Sequence, residues 1–280
     1  MIPSSFEYQR AASVQEALSL MSEDAQVLAG GHSLIPAMKL RLNQPERLID
    51  ISRIPALQQI SEKNGSIVIG AAATHGSIAD SALVQKACPF LATGAGMIGD
   101  IQVRNKGTIG GSLAHADPAA DWPGLLIAAA ASIEVTGSKG SRTIEAENFF
   151  TGFYETALED GEIITAVHVP QLRANQKAAY LKFSQPASRF AIVGVAVVIS
   201  HDGGKISDAR VAINGLSEAG FLDKGAGAAL TGQPANADTA AAAAKVAGAD
   251  CTPLGDHYAS EEYRLHLARV YTKRAIIACI

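Results

Sequence analysis

Two glycine pairs, Gly30-Gly31 and Gly110-Gly111, limit what this chain can fold into more than any other feature. The first lies in Ala29-Gly30-Gly31-His32-Ser33, between a short apolar run, Gln26–Ala29, and a segment that can open a helix at Ser33 with Pro36 in its first turn. Paired glycines allow positive φ and close backbone approach, and the N–H groups of such a turn can cradle a phosphate. An ordinary strand-to-helix turn has the same spelling. The second pair lies in Thr108-Ile109-Gly110-Gly111-Ser112, followed by Leu-Ala-His-Ala-Asp117-Pro-Ala-Ala-Asp121. Its hydroxyls can donate to phosphate oxygens, and its acids can accept from a ribose hydroxyl. Two loops of this kind in one domain suit a ligand that carries a diphosphate.

A third cluster competes with them. Gly94-Ala-Gly96-Met-Ile-Gly99 spells a dinucleotide fingerprint, and Asp117 follows about 20 residues on, where a ribose-binding acid is expected. Such a fingerprint must follow a buried strand and open a long helix. Leu91, Ala95 and Ile98 instead recur at helical spacing, and Asn105-Lys-Gly107 breaks the chain soon afterwards. These glycines are read as small residues that let one helix pack closely on another.

The rest of the chain reads as short strands mixed irregularly with helices. Ser13-Val-Gln-Glu16 has the form of a capping box. Leu48–Ile51 and Ser66–Gly70 are strands, Thr74–Cys88 and Pro89–Ile101 helical, and Asn105–Ser112 a glycine-punctuated loop. Leu125–Ala131 is apolar throughout and hence buried. Ser132–Gly137 and Ser141–Ile144 form a hairpin, and Glu162–Val169 is a strand ended by Pro170. After a polar stretch, Gln171–Lys177, come three long strands (Ala178–Phe183, Ile192–Ile199, Ile206–Ile213) and then helices. The alanine tract at 239–247 is helical, and Ser260–Ala278 is the closing helix, acidic early and basic late. This pattern predicts α+β in two domains, 1–172 and 175–280, not a regular βαβ alternation.

Composition narrows the function. The net charge of -4, with no Lys/Arg run, gives no footprint for nucleic acid. No apolar stretch approaches the ~20 residues of a membrane helix, and the N-terminus lacks the regions of a signal peptide. Cys88, Cys251 and Cys279 are far apart, so the chain cannot hold an iron–sulfur cluster by itself; redox chemistry would need a borrowed cofactor.

Ala29–Leu42 (AGGHSLIPAMKLRL) and Gln102–Asp121 (QVRNKGTIGGSLAHADPAAD) closely resemble the two FAD loops of the medium subunits of carbon monoxide dehydrogenase-like molybdenum hydroxylases, loops also found in the flavin domain of xanthine dehydrogenase. Ala259–Ala275 resembles the helix that closes that family's small C-terminal domain. The resemblance implies a two-subdomain FAD-binding domain of the vanillyl-alcohol-oxidase type, plus a C-terminal α+β domain of antiparallel sheet and helices. It implies that Leu28, Ala29, Gly30, Gly31, His32, Ser33, Leu34 and Ile35 wrap the pyrophosphate from one side. Thr108, Ile109, Gly110, Gly111 and Ser112 would wrap it from the other, with Asp117 close by and Asp121 near the adenosine. Ile98 would lie beside the FAD, Ile163 or Ile164 would flank the isoalloxazine, and Tyr180 or Lys182 would approach it. Val193 stands where xanthine dehydrogenases often have a lysine near the flavin, which argues against NAD as acceptor.

The same resemblance implies partners. A large subunit would carry the molybdopterin cofactor and a small one two [2Fe-2S] clusters, together a dimer of heterotrimers, that is, a heterohexamer. Electrons would reach FAD on this chain and leave to quinone, oxygen or NAD. The expected place is the cytoplasm, with a peripheral position at the inner membrane face left open. No catalytic residue is expected here, because substrate would react on the large subunit. The competing reading is a stand-alone FAD-dependent oxidoreductase with its own pocket. His32 and His115 fit either a phosphate contact or a structural hydrogen bond. His257, Glu261 and His266 resemble a ligand set, but helical spacing puts His257 and His266 on different sides, so no metal site is expected. Trp122 is read as core.

Overall fold

The computed structural model describes residues 1–280. The chain opens with β1 (Glu7–Arg10), α1 (Val14–Leu20), β2 (Ala25–Leu28), α2 (Leu34–Lys39) and β3 (Arg47–Asp50). The strands form a parallel sheet in the order β1-β3-β2, with the helices as the crossovers that parallel pairing demands. Ser13 caps α1, accepting from the Glu16 N–H at 3.1 Å. The Glu16 carboxylate turns back to the Ala12 N–H at 2.7 Å, one residue beyond the usual partner of a capping box. Ser33 does not cap α2 as expected: its backbone is already helical, at φ -105 and ψ -47, and its side chain makes no capping bond.

A larger unit follows: α3 (Pro55–Gln58), β4 (Ile60–Lys63), β5 (Ser66–Gly70), α4 (His75–Ala79), α5 (Ala82–Ala87), α6 (Pro89–Gly96), α7 (Ile101–Arg104), α8 (Ile109–His115) and α9 (Asp121–Ala128). Then come β6 (Ser132–Gly137), β7 (Gly140–Glu145), β8 (Phe150–Gly152), β9 (Glu155–Thr156) and β10 (Ile163–Pro170). An antiparallel sheet in the order β4-β5-β10-β6-β7 packs against these helices around Trp122, Leu125 and Leu113, all fully buried. The helix expected over Thr74–Cys88 is divided, because Ser81 starts a fresh cap on the Val84 N–H. The expected loop Asn105–Ser112 turns helical at Ile109, because the Thr108 side chain accepts from the Gly111 N–H and so starts α8. The glycine fingerprint closes α6 rather than following a strand. A methyl group on Gly94 would stand 2.5 Å from the Leu125 side chain, so this glycine lets α6 lie close on α9.

The remaining elements are β11 (Gln176–Ser184), β12 (Ala191–Asp202), β13 (Lys205–Asn214), β14 (Phe221–Leu222), α10 (Lys224–Leu230), α11 (Ala237–Val246) and α12 (Glu261–Ile277). The strands form an antiparallel sheet in chain order. Strand β12 is buried on both faces from Ala191 to Ser200, which explains its unbroken apolar run. Val193, Val195, Val197 and Ile199 face a core shared with Leu267 and Ile276 of α12. Ala196 and Val198, on the opposite face, join Tyr180 in the core around Trp122. One strand thereby joins the C-terminal layer to the helices that carry the second glycine pair. Val193 points into the α12 core and is fully buried, so a side chain there has no path to the glycine loops. No helix is long and apolar enough to cross a membrane.

Candidate cofactor cleft

The two glycine loops meet. A Cβ on Gly30 would stand 2.2 Å from the Lys106 carbonyl oxygen and 2.8 Å from Gly107 Cα, so only glycine permits this contact between backbones. Gly31 adopts φ +72, whereas Gly30, Gly110 and Gly111 keep ordinary backbone angles. Positive φ is therefore required at one glycine of the four. Gly110 serves packing: its Cβ would press on Ala71, 2.6 Å from Cβ and 2.8 Å from the carbonyl oxygen.

Beside this junction lies a cleft of about 570 Å³, within the ~300–1,000 Å³ typical of ligand sites. Leu28 through Leu34 line it from the first loop, and Thr108, Gly110, Gly111 and Ser112 from the second. Ile35 and Ala72 line an adjoining hollow of about 530 Å³ on the other side of Gly30-Gly31. The loops offer different chemistry. The peptide N–H groups of Gly30, Gly31, His32, Ser33 and Leu34 donate to no protein acceptor. Those of Ile109 and Gly110 are spent on the carbonyls of Ala73 and Ala71, and that of Gly111 on the Thr108 hydroxyl. The second loop presents hydroxyls instead, because those of Thr108 and Ser112 donate to no protein group. Successive free N–H groups on one side and hydroxyls on the other form a cradle for an anion.

Ile98, Ile163 and Ile164 add an apolar lining suited to a flat aromatic ring. Phe190, from the turn between β11 and β12, lines the same cleft and is 43% exposed. Asp117 lines it too, but its carboxylate is engaged: Oδ1 accepts from the Ala119 N–H at 2.9 Å and Oδ2 from the Tyr154 hydroxyl at 3.1 Å. Burial, with the Asp117 charge beside it, pushes the Tyr154 phenol up to about 12, so this donor stays protonated.

Ile109, Tyr180 and Lys182 do not line the cleft. Ile109 points into the core. Tyr180 and Lys182 sit behind the wall, on Asp121. The Tyr180 hydroxyl donates to Asp121 Oδ1 at 2.5 Å, and Lys182 Nζ lies 2.9 Å from Oδ2. Burial pushes the Asp121 carboxyl upward, against the opposing pull of the Lys182 charge. Asp121 reaches the cleft edge, but with both oxygens taken it serves as the anchor of this cluster. An adenosine contact through its carboxylate is not what the geometry favours.

His32 points its Nδ1 at the Gly30 carbonyl, 3.0 Å away, a local bond that steadies the turn and leaves Nε2 outward. The ring of His115 packs against Tyr154, centroids 5.1 Å apart. In the closing region His257 lies on Tyr258 and His266 on Tyr263, and no three potential metal ligands come together.

His75 is a cleft residue that sequence reasoning missed. Its Nδ1 accepts the Trp122 indole N–H at 3.0 Å, which leaves the proton of the neutral ring on Nε2. Burial, aided by the charges of His32 and Arg104, pushes the imidazole down to about 4, so it is neutral near pH 7. Nε2 faces Gly107, where a Cβ would stand 2.8 Å away. Arg189 and Phe190 were missed as well. No local pattern marks them, since each is brought to the cleft by a turn from elsewhere in the chain.

Comparison with known proteins agrees with this geometry. Residues 4–172 match the family of the FAD binding domain in molybdopterin dehydrogenase, and residues 178–279 the CO dehydrogenase flavoprotein C-terminal domain. The carbon monoxide dehydrogenase medium chain of Hydrogenophaga pseudoflava is 40% identical over 281 residues, spanning 99% of this chain and 98% of that one. The nicotine 6-hydroxylase medium subunit of Paenarthrobacter nicotinovorans is 36% identical, spanning 96% and 95%. Among solved structures, a carbon monoxide dehydrogenase from Hydrogenophaga pseudoflava superposes with a TM-score of 0.96 at 42% identity, covering 99% of this chain and 98% of that one. Quinoline 2-oxidoreductase from Pseudomonas putida 86 superposes at 0.93 with 33% identity, covering 99% and 97%.

Proposed function

The chain belongs to the FAD-binding medium subunits of the carbon monoxide and xanthine dehydrogenase family, and from that premise we propose that it is the electron outlet of a molybdenum hydroxylase. It is an oxidoreductase subunit, and FAD is its cofactor. When bound, the isoalloxazine supplies the electron chemistry, and the protein supplies binding, orientation and exclusion of water. In this reading electrons come from [2Fe-2S] clusters on a small partner chain, after substrate reacts at a molybdenum centre on a large one. The assembly is taken as a dimer of heterotrimers in the cytoplasm, where free cysteines such as Cys88, Cys251 and Cys279 persist.

The observation that carries the reading is the run of free N–H groups from Gly30 to Leu34 facing the Thr108 and Ser112 hydroxyls. The first would hold pyrophosphate oxygens, and the second would donate to the remaining ones without bringing another charge. Leu28 and Ala29 line the cleft beside the free N–H groups, and Ile35 and Ile109 shape the loops from behind. Ile98, Ile163 and Ile164 would flank the ring and keep water from it. Asp117, at the cleft wall, accepts from the Tyr154 hydroxyl. For the division into domains 1–172 and 175–280, the support is a core built only from residues between Ile192 and Cys279, while Tyr180, Ala196, Val198 and Ala212 join the core around Trp122 and seat one domain on the other. Relatives of nearly the same length and shape are subunits of a carbon monoxide dehydrogenase, a nicotine 6-hydroxylase and a quinoline 2-oxidoreductase, which supports a substrate site on another subunit.

Turnover with and without this chain tests the reading. The purified chain should carry about one non-covalent FAD, released on denaturation and bleached by dithionite, and should hydroxylate nothing by itself. Adding it to its large and small partners should raise substrate-dependent reduction of a dye or native acceptor. Hydroxylation by the chain alone, or native-acceptor turnover indifferent to its removal, contradicts the assignment.

A further inference from the structure

We propose that Lys182 is a positioning residue for the flavin: from behind the wall, its ammonium fixes the two segments that carry Ile98 and Phe190 into the cleft. This rests on the cleft being the FAD site. Lys182 Nζ lies 3.0 Å from the Met97 carbonyl oxygen, 2.7 Å from that of Arg189 and 2.9 Å from Asp121 Oδ2. Three acceptors use all three N–H bonds of an ammonium, and a neutral amine would leave one unserved. The side chain is 1% exposed, so no water competes for those bonds.

Each carbonyl belongs to the residue just before a lining residue. Met97 precedes Ile98, and Arg189 precedes Phe190. The two segments come from distant elements, one from the end of α6 and the other from the turn between β11 and β12. Arg189 takes φ +61, a conformation that side-chain-bearing residues rarely hold unless their surroundings impose it. Its carbonyl is held by Lys182, its N–H donates to the Gln185 carbonyl at 2.8 Å, and the Ala191 N–H beyond Phe190 donates to the Ala119 carbonyl at 3.1 Å. Asp121, the counter-charge, opens α9 and is held from its other oxygen by Tyr180. The cluster thus ties α6, α9 and β11 at one atom.

Stability alone does not call for this arrangement, because an apolar pair of similar volume often serves a core as well as a buried ion pair. Its location, where two lining segments converge, favours a role in setting their spacing. Such a role predicts that loss of the charge is felt by the flavin and not only by the fold.

The test is a double-mutant cycle on the FAD-loaded chain, read by the FAD dissociation rate and the visible flavin spectrum. The double substitution Asp121→Asn/Lys182→Met removes both charges and strands neither. It should raise the dissociation rate roughly tenfold and shift the flavin band, while circular dichroism keeps its parental form. Phe190→Ala should have an effect of the same order. Combining all three substitutions should add less than about twofold to Phe190→Ala, because the wall that Lys182 places is then already gone. Lys182→Gln, which keeps two N–H donors without charge, should fall between parent and charge-free variant. A folded charge-free variant with parental dissociation rate and spectrum overturns the proposal, and so does an effect that multiplies in full with Phe190→Ala. Failure of both Lys182 variants to fold overturns it too, by making Lys182 a residue of the fold alone. A parent chain that takes up no FAD instead refutes the cofactor reading.

Discussion

Replacing Gly30 with alanine should release FAD while leaving the chain folded. The added methyl would stand 2.2 Å from the Lys106 oxygen, 2.9 Å from the Lys106 carbonyl carbon and 2.8 Å from Gly107 Cα. All three are backbone atoms, so no side chain can swing aside. Carbon atoms pack best about 3.5–4.0 Å apart, which obliges the loops to part by roughly 1 Å. Overpacking of this kind costs about 1–3 kcal/mol. The two loops hold opposite sides of one ligand, so the cost appears mainly as lost affinity, roughly fivefold to over a hundredfold in Kd. Gly96→Ala is the control. Its nearest neighbour would be Ala79 Cβ at 4.0 Å, and at the end of α6 the change should add up to about 1 kcal/mol through lost chain entropy in the unfolded state. The assay is equilibrium titration with FAD by fluorescence quenching, paired with urea unfolding of each variant. Gly30→Ala with a Kd within twofold of the parent, or Gly96→Ala that loses FAD, would refute the reasoning.

Three further outcomes are expected. Gly110→Val should also lose FAD, through pressure of the new side chain on Ala71 that displaces α8, and urea unfolding should show a loss of about 1–3 kcal/mol alongside. His75 is held at about 4 in the fold against 6.5 unfolded, so its contribution is intact above about pH 6.5 and lost as the unfolded chain takes up the proton first. Urea unfolding at pH 4.5 should show roughly 2.5 kcal/mol of loss from this group, absent in His75→Gln; equal pH dependence in both proteins would count against the buried neutral ring. Arg264→Met should cost about 2–3 kcal/mol in urea unfolding, because Nη1 serves the Ile192 carbonyl at 2.5 Å and the Gly215 carbonyl at 2.7 Å in a buried place; a cost under 0.5 kcal/mol would contradict that account.

What could be read from the residues was local chemistry. Gly-Gly after an apolar run marks a turn, Ser13 and Ser260 mark helix starts, and the apolar run Ile192–Ile199 marks a long strand. Each depends on atoms a few residues apart, so spacing is enough to reveal it. The two loop motifs, in the right order, were specific enough to identify a family. Helix boundaries were less legible where caps compete: Ser81 divides one expected helix, and Thr108 turns an expected loop into another.

The wall of the cleft was decided only in three dimensions. Tyr180 or Lys182 was expected near the flavin, yet both lie one layer behind the cleft wall on Asp121, from which they are separated by 59 and 61 residues. His75 and Trp122, 47 residues apart, share a hydrogen bond that no spacing announces. Strand alternation says that Tyr180 and Lys182 share one face of β11, but not which layer that face meets. That depends on β12, whose two faces join two cores and so set how deep β11 lies. Turn and helix chemistry acts over a few residues and is written in them. Which buried charge meets which carbonyl depends on how separately formed layers pack, and only the closed structure holds that information.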